Sequence, residues 1–198
     1  MKMLLALVIM AAVAVCVPLQ ASAESYVVGK AGAGFPRSDL DTGFIGELGL
    51  GWDFSPAGSA LVALEFTVGY NAFSNNSGLG GIRVSVDTDT YPIGLTLKGG
   101  WREGRDTVYY GGIGADIIPV FFDASGSFMG TTISDSDSDA VFGAHLLAGV
   151  TYDLTGSIFI GAEAKYLWAN NMNVSFAGSN LDLDLNCFSL TGMIGLRF

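Results

Sequence analysis

Residues 139–168 read DAVFGAHLLAGVTYDLTGSIFIGAEAKYLW, two segments of alternating apolar and polar residues joined by a turn at residues 155–156. In the first segment, His145 and Asp153 both lie on the face opposite the large apolar residues. In the second, Glu163 and Lys165 do the same. Side chains of a strand alternate between the two faces of a sheet, so a period of two indicates β-strands. The stretch predicts a hairpin with one charge-free face.

The same alternation recurs along the chain, in eight segments altogether. They lie at residues 26–34, 42–54, 60–73, 82–102, 107–122, 140–154, 157–169 and 181–198. Apart from the segment ends at residues 82–90 and 181–186, which have charges on the other face, four of the segments carry two charged or histidine residues each, and in all four both fall on one face. This repeated coincidence indicates that one face of the whole sheet excludes charge.

Aromatic residues on the charge-free face occur ten residues apart. The pairs are Tyr91 and Trp101, Phe142 and Tyr152, and Phe188 and Phe198. Ten residues of a strand tilted by roughly 40° climb about 25 Å, the height of the lipid-facing band of an outer-membrane barrel. In lipid, backbone groups must pair in a closed ring. The sequence therefore predicts an all-β fold, an eight-stranded antiparallel up-and-down transmembrane β-barrel.

The composition and the N-terminal residues agree with an exported membrane protein. The chain is 50% hydrophobic and 14% charged, with nine Lys and Arg against 19 Asp and Glu, so we expect no nucleic-acid partner. Lys2, an apolar run at residues 3–17 and Ala-Ser-Ala at residues 21–23 predict a cleaved signal peptide, residues 1–23. The barrel domain is then residues 24–198. Only Cys187 remains in it, which excludes an intramolecular disulfide.

Connections between the segments alternate between short and long. Short turns are predicted at residues 55–59, 103–106 and 155–156, and long loops at residues 35–41, 74–81, 123–139 and 169–180. In barrels of this kind short turns face the periplasm and long loops the outside, which places both termini in the periplasm. The acidic run SDSDSD at residues 134–139 is expected to be a solvated loop tip.

Four stretches resemble the small eight-stranded outer-membrane barrels of the OmpA/OmpX-like group, most of all the outer-membrane protein W type. They are DTYPIGLTLKGGW at 89–101, VYYGGIGADIIPVFF at 108–122, the hairpin at 139–168 and LDLDLNCFSLTGMIGLRF at 181–198. The resemblance implies a place in the cell outer membrane, among membrane lipid and lipopolysaccharide. It also implies passage of small hydrophobic molecules. The ending at Phe198 resembles the signal read by the barrel-insertion machinery.

Charged residues occupy the face that the barrel would enclose. They are Lys30, Lys98, Arg102, Lys165 and Arg197, with Glu47, Asp53, Glu65, Asp116, Asp153 and Glu163; His145 is expected to join them. An eight-stranded barrel is only wide enough for side chains to fill. Because unpaired buried ions are unfavourable, the charges should pair and plug the lumen. A gated ion path is the alternative.

Beyond the outer aromatic positions the pattern inverts, with apolar residues at lumen positions and polar residues outside. The inward residues are Val84, Val86, Ile118, Val120, Phe122, Leu167, Leu181, Leu183 and Leu185. They form either a small core that stiffens protruding strands or an apolar vestibule open to the outside. Our hypothesis is that apolar ligands enter here, so Leu183→Asp should abolish uptake while leaving insertion intact.

Other functions stay open as alternatives. A structural or adhesive barrel would meet a partner through its loops. A lipid A-modifying enzyme needs a nucleophile beside a base, but Leu147 stands two positions after His145, where the deacylase pattern places a serine. We therefore expect no enzymatic activity, no catalytic residues, no cofactor and no metal.

Overall fold

The computed structural model describes residues 23–37, 41–55, 59–79, 82–128, 131–170, 172–176 and 179–198. Side chains are described for these residues except at 76–79, 82–86, 122–128, 131–137, 172–176 and 179–183. The predicted signal peptide, apart from Ala23, lies outside the described residues. Within the described part, no helix is long and apolar enough to cross a membrane.

Eleven strands make up the described fold. They are β1 Glu24–Pro36, β2 Gly43–Asp53, β3 Ala60–Leu79, β4 Ile82–Thr90, β5 Ile93–Glu103, β6 Thr107–Phe128, β7 Thr131–Asp153, β8 Ile158–Ala169, β9 Met172–Phe176, β10 Ser179–Leu183 and β11 Cys187–Arg197. Nine of them form one antiparallel sheet in the order β2-β1-β11-β8-β7-β6-β4-β3-β5. Pairing of β2 with β3 and of β6 with β5 closes this sheet into a ring. Since β4 and β5 occupy one position, the ring has eight positions, which confirms the predicted barrel.

The first and last wall strands pair directly with each other. Tyr26 lies opposite Arg197 in the ladder between β1 and β11. Beyond it, the Ser25 N–H donates to the Phe198 carbonyl at 3.2 Å, and the Phe198 N–H donates to the Ser25 carbonyl at 2.9 Å. The ring is thus closed by main-chain hydrogen bonds between the two ends of the domain.

Pro92 interrupts the fourth wall position without changing which face points inward. Thr90, Pro92 and Gly94 are all buried, whereas Tyr91 between them is half-buried. The Tyr91 N–H donates to the carbonyl of Pro119 at 2.9 Å, so the chain stays attached to β6. Proline lacks the N–H that would donate to the ladder, but no β-bulge forms here and the register with β6 is unchanged. The lumen face of β4 therefore continues into β5.

Several predicted boundaries are wrong, including the loop at residues 169–180, which contains β9 and the start of β10. Residues 74–79 continue β3, and most of the predicted loop at 123–139 is strand, because β6 and β7 stay paired as far as Phe128 and Thr131. The segment 181–198 is not one strand: β10 pairs only with β9, and β11 begins at Cys187. Main-chain pairing outside lipid needs no apolar face, so alternation did not reveal these extensions.

Apolar side chains cover the outer surface between two levels of aromatic contacts. At the short-turn end, the rings of Trp101 and Tyr109 stack at 5.7 Å between centroids. The opposite end, where the hairpins β3–β4 and β6–β7 extend, is called the long-hairpin end. There Tyr91 lies 5.4 Å from Tyr70 and 5.6 Å from Phe121, measured between ring centroids. Leu97, between the two levels, is half exposed, while its neighbour Lys98 is buried inside. Lipid-facing and lumen-facing residues therefore alternate as the sequence predicts.

Candidate functional site

Four charged side chains meet at the centre of the lumen. Lys30 Nζ lies 2.8 Å from Glu65 Oε1 and 2.7 Å from Glu163 Oε1. Lys98 Nζ lies 2.7 Å from Glu65 Oε2 and 3.3 Å from Glu163 Oε2. Each carboxylate thus bridges both ammonium groups in a closed cycle, which we call the central charge cluster. Its members come from β1, β3, β5 and β8, so the cycle ties strands from around the ring.

Two tyrosines complete the hydrogen bonding of the central charge cluster. The Tyr26 hydroxyl donates to Glu65 Oε2 at 2.8 Å, and the Tyr110 hydroxyl donates to Glu163 Oε2 at 2.9 Å. The ammonium of Lys98 also lies 4.7 Å from the centroid of the Tyr110 ring. Buried ion pairs are tolerated when further hydrogen bonds satisfy their remaining polar atoms. The cluster meets this condition, and its four charged side chains are all buried.

A second charged layer lies next to the cluster, on the side of the long hairpins. Glu47 pairs with Lys165, and Lys30 Nζ lies 3.9 Å from the second oxygen of Glu47. Nearby, Asp116 Oδ2 lies 2.5 Å from His145 Nδ1.

The other ring nitrogen of this histidine contacts a hydroxyl. Thr96 Oγ1 lies 2.9 Å from His145 Nε2, and all three side chains of the Thr96–His145–Asp116 group are buried. A Cβ at Gly114 would collide with the imidazole, and one at Gly94 with the Asp116 carboxylate. The two glycines therefore make room for the pair. Because the imidazole already occupies that room, no space for a substrate is evident beside it.

Two ion pairs lie at the short-turn end of the lumen. Arg102 pairs with Asp53, and Arg197 Nη1 lies 2.5 Å from Asp153 Oδ1. Between these pairs and the central charge cluster is a small cavity of about 40 Å³. Its walls are largely apolar and include Tyr26, Leu61, Val108, Tyr110, Phe159 and Met193. The cluster separates this cavity from the opposite end of the barrel.

The lumen becomes apolar on the long-hairpin side of the second charged layer. Six buried apolar side chains lie there, next to the buried polar residues Asn71, Thr88 and Thr90: Ile45, Phe73, Ile118, Val120, Val141 and Cys187. On each strand they follow the charged lumen residues in the direction of the long hairpins. We call this set the inner apolar layer.

The model of one protein family matches this chain over residues 3–195. The chain belongs to the outer membrane protein beta-barrel domain family. This membership agrees with the closed ring, the apolar outer surface and the charged interior. This outer-membrane barrel has no relative among curated proteins at a significant level of similarity.

Several solved outer-membrane proteins share the fold. OprG from Pseudomonas aeruginosa superposes with a TM-score of 0.57 at 16% identity, covering 89% of this chain and 97% of that one. A major outer membrane protein from Thermus thermophilus gives 0.56 at 14% identity, covering 88% and 99%. Neisserial surface protein A gives 0.54 at 16% identity, covering 90% and 98%. At such identities the likeness establishes the fold of this barrel alone.

The structure places the twelve predicted lumen residues in three groups. The central charge cluster holds Lys30, Glu65, Lys98 and Glu163; the second layer holds Glu47, Asp116, His145 and Lys165; and Asp53, Arg102, Asp153 and Arg197 lie at the short-turn end. Ten of the twelve form ion pairs, and Asp116 and His145 contact each other. The lumen charges thus form separate layers along the barrel. The alternation of residues in the sequence predicts which face they occupy but does not predict these layers.

The predicted vestibule residues fall into different parts of the structure. Ile118 and Val120 are buried in the lumen, and Leu167 and Leu185 are half-buried. The side chains of Val84, Val86, Phe122, Leu181 and Leu183 lie outside those that the structure describes. Leu181 and Leu183 belong to β10, whose ladder is separate from the wall, so the prediction that they continue the wall strand is wrong. The break falls at residues 184–186, where the Asn186 N–H donates to Asp184 Oδ1 at 2.9 Å.

Sequence reasoning missed several lumen residues. Tyr26 lies on the same face of β1 as Lys30, and Tyr110 of β6 lies on the same face of the sheet as Lys98 of the paired strand β5. The alternation of side chains alone could therefore have identified both tyrosines as lumen residues. Asn71 and Thr88 have lumen parity as well, but only the structure reveals that they are buried. Among the described residues, no group of three or more His, Cys, Asp or Glu side chains is arranged to hold a metal ion.

Proposed function

We propose that this outer-membrane barrel binds small apolar molecules at its long-hairpin end, as a first step in passing them. The supporting observation is the change of lumen lining, from paired charges to the inner apolar layer, within one continuous interior. Ile118 and Val120 are nearly inaccessible and directly follow Asp116 at the next two lumen positions of β6. An apolar lining favours binding of an apolar ligand.

Our proposal includes the orientation of the barrel. Short turns face the periplasm with both termini, and the long hairpins face the outside. Membrane lipid and lipopolysaccharide surround the apolar band, and the barrel-insertion machinery reads the strand ending at Phe198. Within the wider family we propose the outer-membrane protein W type, whose resemblance implies small hydrophobic ligands.

The proposal also holds that the barrel is not an enzyme. The contacts run from Thr96 to His145 and from His145 to Asp116, in the same sequence as those of a nucleophile, a base and an orienting carboxylate. An acyl-transfer site also needs space beside the nucleophile for a substrate. Here the threonine is buried, and a Cβ at Gly112 would lie only 3.0 Å from its methyl group. We assign this group a structural role in the plug.

The test is a titration of the barrel in lipid nanodiscs with toluene, followed by methyl NMR. Toluene should shift the methyl signals of Ile45 and Ile118 in a saturable manner. Signals of Ile113 and Ile117, which face lipid, should change only linearly with the toluene dissolved in the bilayer. Shifts confined to the lipid-facing methyls would contradict the proposal.

A pair of variants on one strand sharpens the test. Val120→Asn should weaken toluene binding by about tenfold or more, because it replaces buried apolar surface with an amide. Val108→Asn, at the other end of β6 and equally buried, should leave binding unchanged. Equal effects of both variants would indicate general destabilisation.

A further inference from the structure

Two buried polar side chains of the upper lumen have unused hydrogen-bonding atoms. Thr88 is 0% exposed and Asn71 is 8% exposed. Among the described residues, Thr88 Oγ1 and Asn71 Oδ1 have no hydrogen-bond partner. Buried polar atoms are nearly always paired in native proteins, so each exception needs an explanation such as a water or a ligand.

Both side chains belong to one ladder, in rungs separated by a single intervening rung, Ala72 opposite Asp89. Asn71 lies opposite Thr90, and Thr88 lies opposite Phe73, in the pairing of β3 with β4. The Asn71 amide already donates to Thr90 Oγ1 at 3.0 Å, which leaves one polar atom of the amide unused. Asn71 and Thr88 are therefore diagonal neighbours on the lumen face, and residues so placed are about 7–8 Å apart.

Apolar residues flank this pair across the neighbouring strands. Ile45 on β2 pairs with Asn71, and Val120 on β6 pairs with Thr90. Both belong to the inner apolar layer. The polar pair is thus set into the apolar surface where we propose that ligands bind. A few fixed polar groups in a mostly apolar pocket orient a ligand and determine its specificity.

We infer that the ligand is a small apolar molecule with one neutral hydroxyl or N–H group, which binds the unused atoms of Asn71 and Thr88. This inference rests on the proposed function and narrows its ligand class. A hydroxyl both donates and accepts, as the Thr88 hydroxyl does, so it satisfies either arrangement of the amide. A pure hydrocarbon leaves both atoms unsatisfied and binds less well.

The surroundings favour a neutral group over a charged one. The nearest charged side chains towards the plug, Glu47, Lys165 and Asp116, are already paired. A charged ligand group would therefore be buried without a counter-ion, which is far less favourable than burying a hydroxyl. Fatty acids and alkylamines should accordingly bind less well than alcohols of the same size.

The experiment compares benzyl alcohol with ethylbenzene, which differ by a hydroxyl in place of a methyl group. Both are titrated into the barrel in nanodiscs, and dissociation constants from the Ile118 methyl signal are corrected for partition into protein-free nanodiscs. Thr88→Val keeps the side-chain shape and removes the hydroxyl. It should weaken benzyl alcohol binding by about 2–10-fold and leave ethylbenzene binding unchanged or tighter.

Thr151→Val is the matched control, a buried lumen threonine beside the cavity at the short-turn end. It should alter neither constant. A second measurement needs no variant: nuclear Overhauser contacts should join the CH₂ group of benzyl alcohol to the Thr88 methyl in the native barrel.

The outcomes separate this inference from the proposed function. If both probes bind, Thr88→Val affects neither and no contact to the Thr88 methyl is seen, the polar pair holds water only and the inference is wrong. The proposed function would survive that result. If neither probe perturbs Ile118, both ideas fail. Loss of only the benzyl alcohol affinity in Thr88→Val supports the inference.

Discussion

Replacing the Lys98 side chain with an uncharged one should lower the free energy of unfolding of the barrel far more than the small change in side-chain volume suggests. Its ammonium contacts Glu65 at 2.7 Å and Glu163 at 3.3 Å. In Lys98→Met, both carboxylates remain buried with only Lys30 between them. Breaking a buried ion pair from one side costs about 3–5 kcal/mol, because an uncompensated charge is left behind. The unfolding equilibrium constant should therefore rise by roughly two to four orders of magnitude.

A second substitution should restore part of this stability. Glu65→Gln removes the surplus negative charge of Lys98→Met and keeps an acceptor for the Tyr26 hydroxyl. The double variant should be more stable than the sum of the single losses predicts, by a coupling free energy of about 1–3 kcal/mol. The measurement is urea unfolding of the barrel in phospholipid vesicles, followed by tryptophan fluorescence and by gel migration of the folded and unfolded forms.

Leu97→Met is the control, since Leu97 adjoins Lys98 on the strand but faces lipid. It should change the free energy of unfolding by less than about 1.5 kcal/mol. Two results would refute the reasoning. One is a Lys98→Met variant within about 1 kcal/mol of this control, well under the stated cost of an unpaired buried charge. The other is a double variant whose loss equals the sum of its parts.

Further predictions concern the outer surface and the glycines, both measured by the same urea titrations. Leu97→Arg, midway between the two aromatic levels, should cost about 2–4 kcal/mol, whereas Leu154→Arg beside a short turn should cost about 0–1 kcal/mol. Equal costs would contradict the assigned membrane band. Gly114→Ala should cost about 1–3 kcal/mol, because its methyl group collides with a buried imidazole. Gly192→Ala should be neutral or stabilising by up to about 1 kcal/mol, since nothing lies within 4 Å of its Cβ position. A destabilised Gly192→Ala variant would show that the outer surface there is packed against something beyond this chain.

The wall within lipid was predictable because two rules act on the same residues. Lipid excludes charge from one face, and the narrow lumen pairs charge on the other. Glu163 and Lys165 show both rules at once, since their shared parity fixes the face and their burial follows from it. Neither rule acts where strands leave the membrane. The run at residues 134–139 therefore has the composition of a loop, although its backbone continues β7.

The candidate site was predictable only in part for a different reason. Parity assigns Ile118 and Val120 to the interior, and they are buried there. The LDLDL alternation at residues 181–185 has the same period as a wall strand, but the chain leaves the wall before β11. Asn71 Oδ1 and Thr88 Oγ1 are left without a described hydrogen-bond partner because of their three-dimensional surroundings. No local sequence pattern encodes such an absence.

The pairing of Tyr26 with Arg197 has a consequence for how the barrel is assembled. The strand synthesised earliest has as its neighbour the strand synthesised last. Until both are present, any partial sheet has two open edges that can bind other chains. Contacts so distant in sequence also slow folding. Loss of β11 would therefore remove the strand that pairs with both β1 and β8, leaving two open edges exposed to aggregation.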